Sequence, residues 1–137
     1  MKMTKSPHLS VILPSYMEEE NLRLLLPRLK DALSQNKFES EILVIDTQKP
    51  LDATQELCVS QGVRHVRRGP GGSFGDAIRT GIGEAKGKWI LCMDADGSHT
   101  PEFIPSLIHE ADKNDIVIAS RYIEGGFTEN TPSLISN

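Results

Sequence analysis

Five short apolar runs, spaced along the chain, constrain the fold more than any other feature of the sequence. They cover residues 9–13, 41–45, 63–66, 89–93 and 116–119, and each is rich in Val, Ile and Leu. Strands that are covered on both faces have this near-continuous apolar character. Because longer helix-like segments separate the runs, we expect parallel pairing through right-handed crossovers and a three-layer α/β domain with a mainly parallel sheet.

The segments between the runs carry signals for the start and end of helices. Glu18, Glu19 and Glu20 place negative charge where the dipole of a first helix favours it, and leucines follow at helical spacing. Pro27 interrupts that leucine pattern, so we expect the first helix to kink or restart there. Further helices are predicted from Asp52 or Thr54 to Val59 with Gly62 as the stop, over Ser73 to Ala85, and from Pro101 with Thr100 as its N-cap.

Composition and charge exclude several classes of protein. The chain has 137 residues, of which 38% are apolar and 25% charged, as is typical of one globular domain. Its net charge of -4 argues against nucleic acid as a partner, although Arg64, Arg67 and Arg68 could form a local basic patch. The longest apolar runs have about five residues, far short of the ~20 that span a bilayer. We therefore expect no transmembrane helix, no targeting signal and a cytoplasmic protein, with Cys58 and Cys92 as buried free thiols.

Polar residues follow each predicted strand. Ligands of parallel α/β sheets bind beyond the carboxyl ends of the strands, so these residues should line one crevice. They are Pro14, Ser15 and Tyr16 after the first strand, Asp46 after the second, residues 67–72 after the third, Asp94 and Asp96 after the fourth, and Arg121 after the fifth.

Asp94 and Asp96 are the strongest candidates for chemistry. Carboxylates at positions i and i+2 can both face one site where a strand ends, and Gly97 permits a turn there. Mg²⁺ takes one or two carboxylates and completes its coordination with water and substrate phosphates. The alternative interpretation is a pair of acidic turn residues that cap the next helix.

Weaker candidates surround this pair. Asp46 and Glu18 could accept hydrogen bonds from a base or ribose, or could simply cap a turn and a helix. Arg121 could pair with a diphosphate or form a surface salt bridge, and His99 is more simply structural. The glycine-rich segment 69–75 opens a helix, but it does not match the dinucleotide fingerprint.

Three segments together resemble the family 2 glycosyltransferases, and within them the dolichyl-phosphate mannose synthase group. They are SVILPSYMEEENL at 10–22, WILCMDADGSHTP at 89–101, and SRY at 120–122 followed by the glycines at 125–126. The resemblance covers most of residues 9–126 and keeps the order of the motifs. It implies a GT-A fold, a nucleotide-diphosphate sugar donor such as GDP-mannose or a UDP-sugar, and Mg²⁺ or Mn²⁺ as cofactor.

The resemblance also implies roles for individual residues. Asp94 and Asp96 would hold the ribose, the metal and the phosphates as the catalytic and metal-binding pair, with Ser98 nearby. Arg121 would contact the diphosphate. The nucleoside would be bound by Pro14, Tyr16, Glu18 and Asp46.

The sequence departs from the family in three places. Thr47 stands where the family has a second aspartate, Met17 replaces a common asparagine, and the chain stops at Asn137 where the family continues. We therefore expect an N-terminal tail over 1–8, a nucleotide-sugar-binding domain over 9–126, and a tail over 127–137 that could begin a truncated acceptor region.

The expected function is inverting, metal-dependent transfer of a sugar, mannose first, to a polyprenyl or dolichyl phosphate, at the cytoplasmic face of a membrane. A phosphate acceptor is already anionic at neutral pH, so it needs no strong general base. One alternative is a phosphohydrolase of the haloacid dehalogenase type, with Asp94 as nucleophile and Asp96 as acid/base. Another is a catalytically incomplete nucleotide-binding module.

Overall fold

A computed structural model of the chain describes residues 7–96 and 100–111. The chain divides into two compact units, Met1–Glu102 and Phe103–Asn137. In the second unit the structure describes Phe103 and the helix α4, Ile104–Ala111. The first unit contains strands β1 (Leu9–Pro14), β2 (Ser40–Asp46), β3 (Arg64–Arg67) and β4 (Trp89–Cys92), and helices α1 (Glu19–Ser34), α2 (Thr54–Gln61) and α3 (Phe74–Glu84).

The four strands form one parallel sheet in the order β3-β2-β1-β4. All six residues of β1 are buried, and a strand pairs with it on either side. The last five residues of β2 are buried as well, whereas β3 and β4 at the two sides of this sheet are only partly buried. The predicted α/β class with a mainly parallel sheet is confirmed.

Helix α3 packs closely on the two central strands. Its Ala77 joins Ile12, Leu43 and Ile45 in a fully buried cluster. At Gly81 a Cβ atom would lie only 2.6 Å from a methyl carbon of Ile12, so the helix and β1 approach more closely than any side chain would allow. Helix α1 buries the leucines that its spacing predicted, at positions 22, 25, 26, 29 and 33.

A charged network fastens the amino ends of the strands. The carboxylate of Glu41 accepts hydrogen bonds from the Ser10 hydroxyl at 2.6 Å, the Lys86 backbone N–H at 2.7 Å and the Arg64 guanidinium at 2.9 Å. The Ser10 oxygen in turn accepts from the N–H of Gly87 at 2.8 Å. Burial of Glu41 acts to raise the pKa of its carboxyl, but these donors outweigh burial and hold the pKa below its ordinary value of 4.5. We call Ser10, Glu41, Arg64, Lys86 and Gly87 the amino-edge network.

Several local expectations need correction. Helix α1 does not restart at Pro27 but continues from Glu19 to Ser34, with the proline on its exposed side. The third strand is displaced by one residue and ends at Arg67. The fourth helix begins at Ile104, after a 3-10 turn at Pro101–Phe103. The predicted fifth strand, 116–119, lies outside the described residues.

The two cysteines differ, although both were expected to be buried. Cys58 is fully buried, whereas Cys92 is exposed, because the last residue of β4 lies at the side of the described sheet. Burial, together with the negative charges of Asp46 and Asp52, raises the pKa of the Cys58 thiol to about 12. This thiol is therefore protonated and unreactive at neutral pH.

Candidate functional site

The carboxyl ends of the four strands meet at one edge of the sheet. Pro14 pairs with Ile45, and Asp46 pairs with Arg67. On the other side of β1, the N–H of Met93 donates to the Ile12 carbonyl at 3.0 Å, which places Asp94 just beyond β4. The structure thus brings together the strand ends that the sequence singled out.

The turn after β1 presents an exposed aromatic ring. Pro14 and Ser15 are buried, whereas Tyr16 is 63% exposed. Met17 follows with φ = 53°, a left-handed conformation that is strained for a side chain of this kind. The next residue, Glu18, is half-buried and accepts a hydrogen bond from the Asn21 amide at 2.6 Å.

The first residues of α1 and the residues just before α2 are joined by hydrogen bonds beside this turn. The N–H of Glu19 donates to the Asp52 carboxylate at 3.3 Å, and the N–H of Ala53 donates to the Glu19 carboxylate at 2.9 Å. Asp52 also accepts from the N–H of Thr54 at 3.1 Å, as expected for a residue near the start of α2. These bonds tie the turn after β1 to the turn after β2.

Asp46 is almost fully buried, with 2% exposure, and both of its carboxylate oxygens have partners in the chain. One oxygen accepts from the N–H of Thr47 at 2.8 Å, and the other lies 2.9 Å from Nε2 of His65 and 3.7 Å from the Arg67 guanidinium. The Thr47 hydroxyl donates to the Lys49 carbonyl at 2.6 Å. A nucleoside contact by Asp46 stays a prediction, and it would have to share these oxygens.

Asp94 and Asp96 occupy alternate positions in the segment after β4. Met93 and Ala95 are buried, at 2% and 3% exposure, while Asp94 is half-buried and Asp96 exposed. Both aspartates are therefore less buried than the residues beside them, while the prediction that their carboxylates face one site stays a prediction. Both residues also interact with other groups of the chain.

The donor set fits a metal that is shared with a phosphate ligand. Within residues 7–96 and 100–111, no three His, Cys, Asp or Glu side chains lie close enough to hold an ion by themselves. A closed structural zinc site needs four protein ligands, whereas Mg²⁺ is commonly held by one or two carboxylates plus phosphate oxygens. Asp94 and Asp96 suit the second arrangement. Ser98 and Arg121, the remaining predicted site residues, lie outside the described residues.

Arg68 is a component of this edge that the sequence did not reveal. It is 8% exposed, and its guanidinium donates to the backbone carbonyls of Ser15 at 2.6 Å and Asp46 at 3.2 Å. It also donates to the carbonyls of Gly72 at 3.3 Å and Ser73 at 3.2 Å. The expected basic patch is therefore wrong, since Arg68 is buried, Arg64 belongs to the amino-edge network, and Arg67 bonds to the turn after β2.

The glycine-rich segment ends in a tightly capped helix start. Ser73 and Asp76 form a capping box, in which the Asp76 carboxylate accepts from the Ser73 N–H at 2.9 Å and hydroxyl at 2.7 Å. These two bonds, with the nearby Arg79, lower the pKa of Asp76 to about 2. Gly71 adopts φ = 104° against the Asp76 carboxylate, where a Cβ atom would collide. The chain's own carboxylate thus occupies this helix start, and Phe74 beside it is 62% exposed.

Comparison with known proteins agrees with this architecture. The sequence matches the family described as Glycosyl transferase family 2 over residues 10–136. This chain therefore belongs to glycosyl transferase family 2. The match leaves the haloacid dehalogenase alternative without support, as does the position of Asp94 after the fourth strand of the chain.

Two curated relatives are similar over most of this chain. A dolichol-phosphate mannosyltransferase of Pyrococcus furiosus is 43% identical over 128 residues, which cover 90% of this chain and 36% of the relative. An undecaprenyl-phosphate mannosyltransferase of Micrococcus luteus is 36% identical over 132 residues, 89% of this chain and 51% of the relative. The chain thus spans about a third to a half of the length of these relatives.

Solved structures show the same fold at low identity. Mannosyl-3-phosphoglycerate synthase from Rubrobacter xylanophilus superposes with a TM-score of 0.65 at 20% identity, covering 77% of this chain and 36% of that one. Glucosyl-3-phosphoglycerate synthase from Mycobacterium tuberculosis, in complex with Mn²⁺ and UDP, gives 0.59 at 22% identity, covering 77% and 39%. The fold is that of the GT-A glycosyltransferases.

Across the described part of the chain, no helix combines the length and the apolar character needed to cross a bilayer.

Proposed function

We propose that this chain carries the donor-binding part of a glycosyltransferase that moves mannose from GDP-mannose to a polyprenyl phosphate. The observation that carries the proposal is the position of Asp94 and Asp96 just after β4, at the same sheet edge as the turns after β1 and β2. Both curated relatives are named as mannosyltransferases that act on polyprenyl-type phosphates, which supports the sugar and the acceptor class.

The proposed roles divide the edge between nucleoside and diphosphate. Pro14, Tyr16, Glu18 and Asp46 bind the nucleoside, and the exposed Tyr16 ring offers an apolar face to it. Asp94 and Asp96 hold Mg²⁺ or Mn²⁺ together with the ribose and phosphates. Ser98 and Arg121 contact the diphosphate, by resemblance to the family. A bound divalent ion supplies Lewis-acid neutralisation of the leaving nucleoside diphosphate.

A phosphate acceptor does not require a strong general base from this chain. A phosphate monoester has its second pKa near ~6, so at neutral pH it is largely a dianion and needs no strong general base. Its oxygen attacks the anomeric carbon directly while the bond to the nucleoside diphosphate breaks, which inverts the configuration. With a lipid acceptor, the protein works at the cytoplasmic face of a membrane.

Titration calorimetry with GDP, UDP and their sugar conjugates, with and without Mn²⁺, tests the proposal. We expect GDP or GDP-mannose to bind only when the ion is present, and to bind more tightly than UDP. If no nucleotide binds the folded protein in the presence of Mn²⁺, the donor-binding proposal is wrong. Tighter binding of UDP would keep the donor site and change the nucleotide.

A catalytically incomplete donor module is the second candidate. Thr47 in place of the family's second aspartate favours it, as does the buried Asp46 carboxylate with its partners His65 and Thr47. The assay is mannose transfer from GDP-mannose to a short polyprenyl phosphate, with GDP release as the readout. Metal-dependent binding without transfer supports the incomplete module, and transfer supports the enzyme.

A further inference from the structure

Arg68 is a buried cation whose hydrogen bonds all go to backbone carbonyls. The four acceptors are the carbonyls of Ser15, Asp46, Gly72 and Ser73, at 2.6, 3.2, 3.3 and 3.2 Å. Among the residues that the structure describes, no carboxylate forms an ion pair with it, in contrast to the two arginines of β3. Burial of a charge is costly unless several hydrogen bonds compensate it, so this position is specialised.

The four carbonyls lie at three places: in the loop after β1, at the last residue of β2 where its loop begins, and in the loop between β3 and α3. Ser15 directly precedes the exposed Tyr16, and Asp46 is itself a proposed nucleoside contact. Gly72 and Ser73 lead into α3, beside the exposed Phe74. One planar guanidinium thus joins all three loops at the edge where the proposed donor residues lie.

The geometry requires arginine and not merely a positive charge. Arginine presents five N–H donors in a rigid fork, and here Nε, Nη1 and Nη2 each serve a different loop. A lysine ammonium has three donors at a single point, so it could not reach all three loops together. Replacing Arg68 with lysine should therefore keep the positive charge but make the loops more mobile, because some of these hydrogen bonds are lost.

We infer that Arg68 is a positioning residue for the nucleotide site, holding Tyr16 and Asp46 in the arrangement that the nucleoside needs. The inference rests on the proposed donor-binding function. Preorganised loops bind more tightly because less freedom is lost when the ligand binds. Arg68 need not touch the nucleotide to have this effect.

Arg64 provides the matched control, because it begins β3 whereas Arg68 directly follows the end of β3. It also donates to several groups, namely Glu41 at 2.9 Å and the Glu84 carbonyl and carboxylate at 3.0 and 3.1 Å. It lies in the amino-edge network, away from the carboxyl ends of the strands. A role of Arg68 in stability alone would make Arg68→Met and Arg64→Met behave alike.

The experiment compares Arg68→Met, Arg68→Lys and Arg64→Met with the wild-type chain. GDP and UDP affinities are measured by calorimetry with Mn²⁺, stability by urea unfolding, and loop order by amide hydrogen exchange. We expect both Arg68 variants to bind about 10-fold more weakly, since preorganisation accounts for effects of this size. We also expect faster exchange at the amides of residues 16, 17 and 73. Arg64→Met should lose stability but keep its nucleotide affinity.

The outcomes separate this inference from the function on which it rests. A wild-type chain that binds neither nucleotide overturns the proposed function and the positioning role together. If the wild type binds and both Arg68 variants bind equally well, only the positioning role is overturned. Equal losses of affinity in Arg64→Met and Arg68→Met would also overturn it. If Arg68→Met does not fold, Arg68→Lys decides the question.

Discussion

The two edges of the sheet differ in the groups that surround an arginine. At the amino edge, the Glu41 carboxylate receives three donors, and its cation Arg64 also pairs with Glu84. At the carboxyl edge, Arg68 donates to four backbone carbonyls. Asp46 there pairs with His65, and Asp94 and Asp96 are less buried than their neighbours Met93 and Ala95. Arg64 at the amino edge is thus surrounded by carboxylates, whereas Arg68 at the carboxyl edge is surrounded by backbone oxygens.

A cleft at the amino edge of the sheet is not the candidate site. A cleft of about 440 Å³ opens at the amino edge, lined in part by Leu33, Phe38 and Val63. Both of its cationic side chains have partners in the chain: Lys30 donates to the Gln61 carbonyl, and Arg64 donates to Glu41. The cleft offers no set of groups that points to a ligand, whereas the carboxyl edge offers paired carboxylates.

The largest effect on stability is expected from Gly87→Ala at the amino edge. A Cβ atom there would lie 2.6 Å from the Ser10 backbone nitrogen and 2.8 Å from the Leu9 carbonyl carbon, so the backbone must shift. We expect a loss of about 3 kcal/mol, at the upper end of overpacking effects. Urea unfolding measures it, and the nucleotide affinity of the folded fraction should not change.

Gly83→Ala is the control for this substitution. It lies within α3, and a Cβ atom added there would meet nothing within 4 Å, so alanine should stabilise the helix by about 0.5–1 kcal/mol. An unaffected Gly87→Ala would contradict the close approach of β1 to the segment before β4. A destabilised Gly83→Ala would contradict the open space around residue 83.

The corresponding effect at the carboxyl edge is on binding. Asp94→Asn removes one carboxylate of the proposed metal pair and should weaken Mn²⁺-dependent GDP binding by about 100-fold, or ~2.7 kcal/mol. Urea unfolding is measured alongside, because Asp94 also interacts with other groups of the chain. Asp31→Asn, an exposed carboxylate on α1, is the control and should bind GDP as the wild type does. Equal binding by Asp94→Asn would break the contrast between the edges.

Glu41→Gln tests the amino-edge network through its pH dependence. The pKa of Glu41 in the folded protein lies below 4.5, so its charge stabilises the fold above pH 4.5 and the benefit disappears as pH falls through the lowered value. At neutral pH we expect a loss of about 2 kcal/mol, since the carboxylate accepts charge-assisted bonds. Unfolding followed from pH 7 to pH 3 should show wild type and variant converging at the acid end. A constant difference would contradict this role.

Local patterns predicted most of the fold. The apolar runs predicted each end of β1, β2 and β4 to within one residue. Gly62 ends α2 in a left-handed conformation, as glycine permits. The spacing of Asp94 and Asp96 placed both residues just after β4, whereas their facing one site stays a prediction. The helix does not restart at Pro27, because burial of the α1 leucines on both sides of it outweighs the loss of one backbone bond.

Interactions between distant residues were beyond prediction. Arg68 bonds to Ser15, which lies 53 positions away, and Ser10 accepts from Gly87, which lies 77 positions away. Nothing around Arg64, Arg67 or Arg68 distinguishes the arginine that is buried from those that pair with carboxylates. Their different surroundings arise only when the strand ends are brought together.

The smallest expected effect concerns strain at the carboxyl edge. Met17 has φ = 53° and is 56% exposed, so it is strained without gaining much burial. Asparagine tolerates this conformation better, so Met17→Asn should stabilise the chain by about 0.5–1 kcal/mol. Met17→Ala is the control, because alanine keeps the strain and should give no gain. If both variants unfold at the same urea concentration as the wild type, φ at this position is not a source of strain. If Met17→Asn is more stable but binds GDP more weakly, the strained turn itself contributes to the placement of Tyr16. In that case the strain at the carboxyl edge lowers stability and raises affinity, whereas the amino-edge network contributes to stability only.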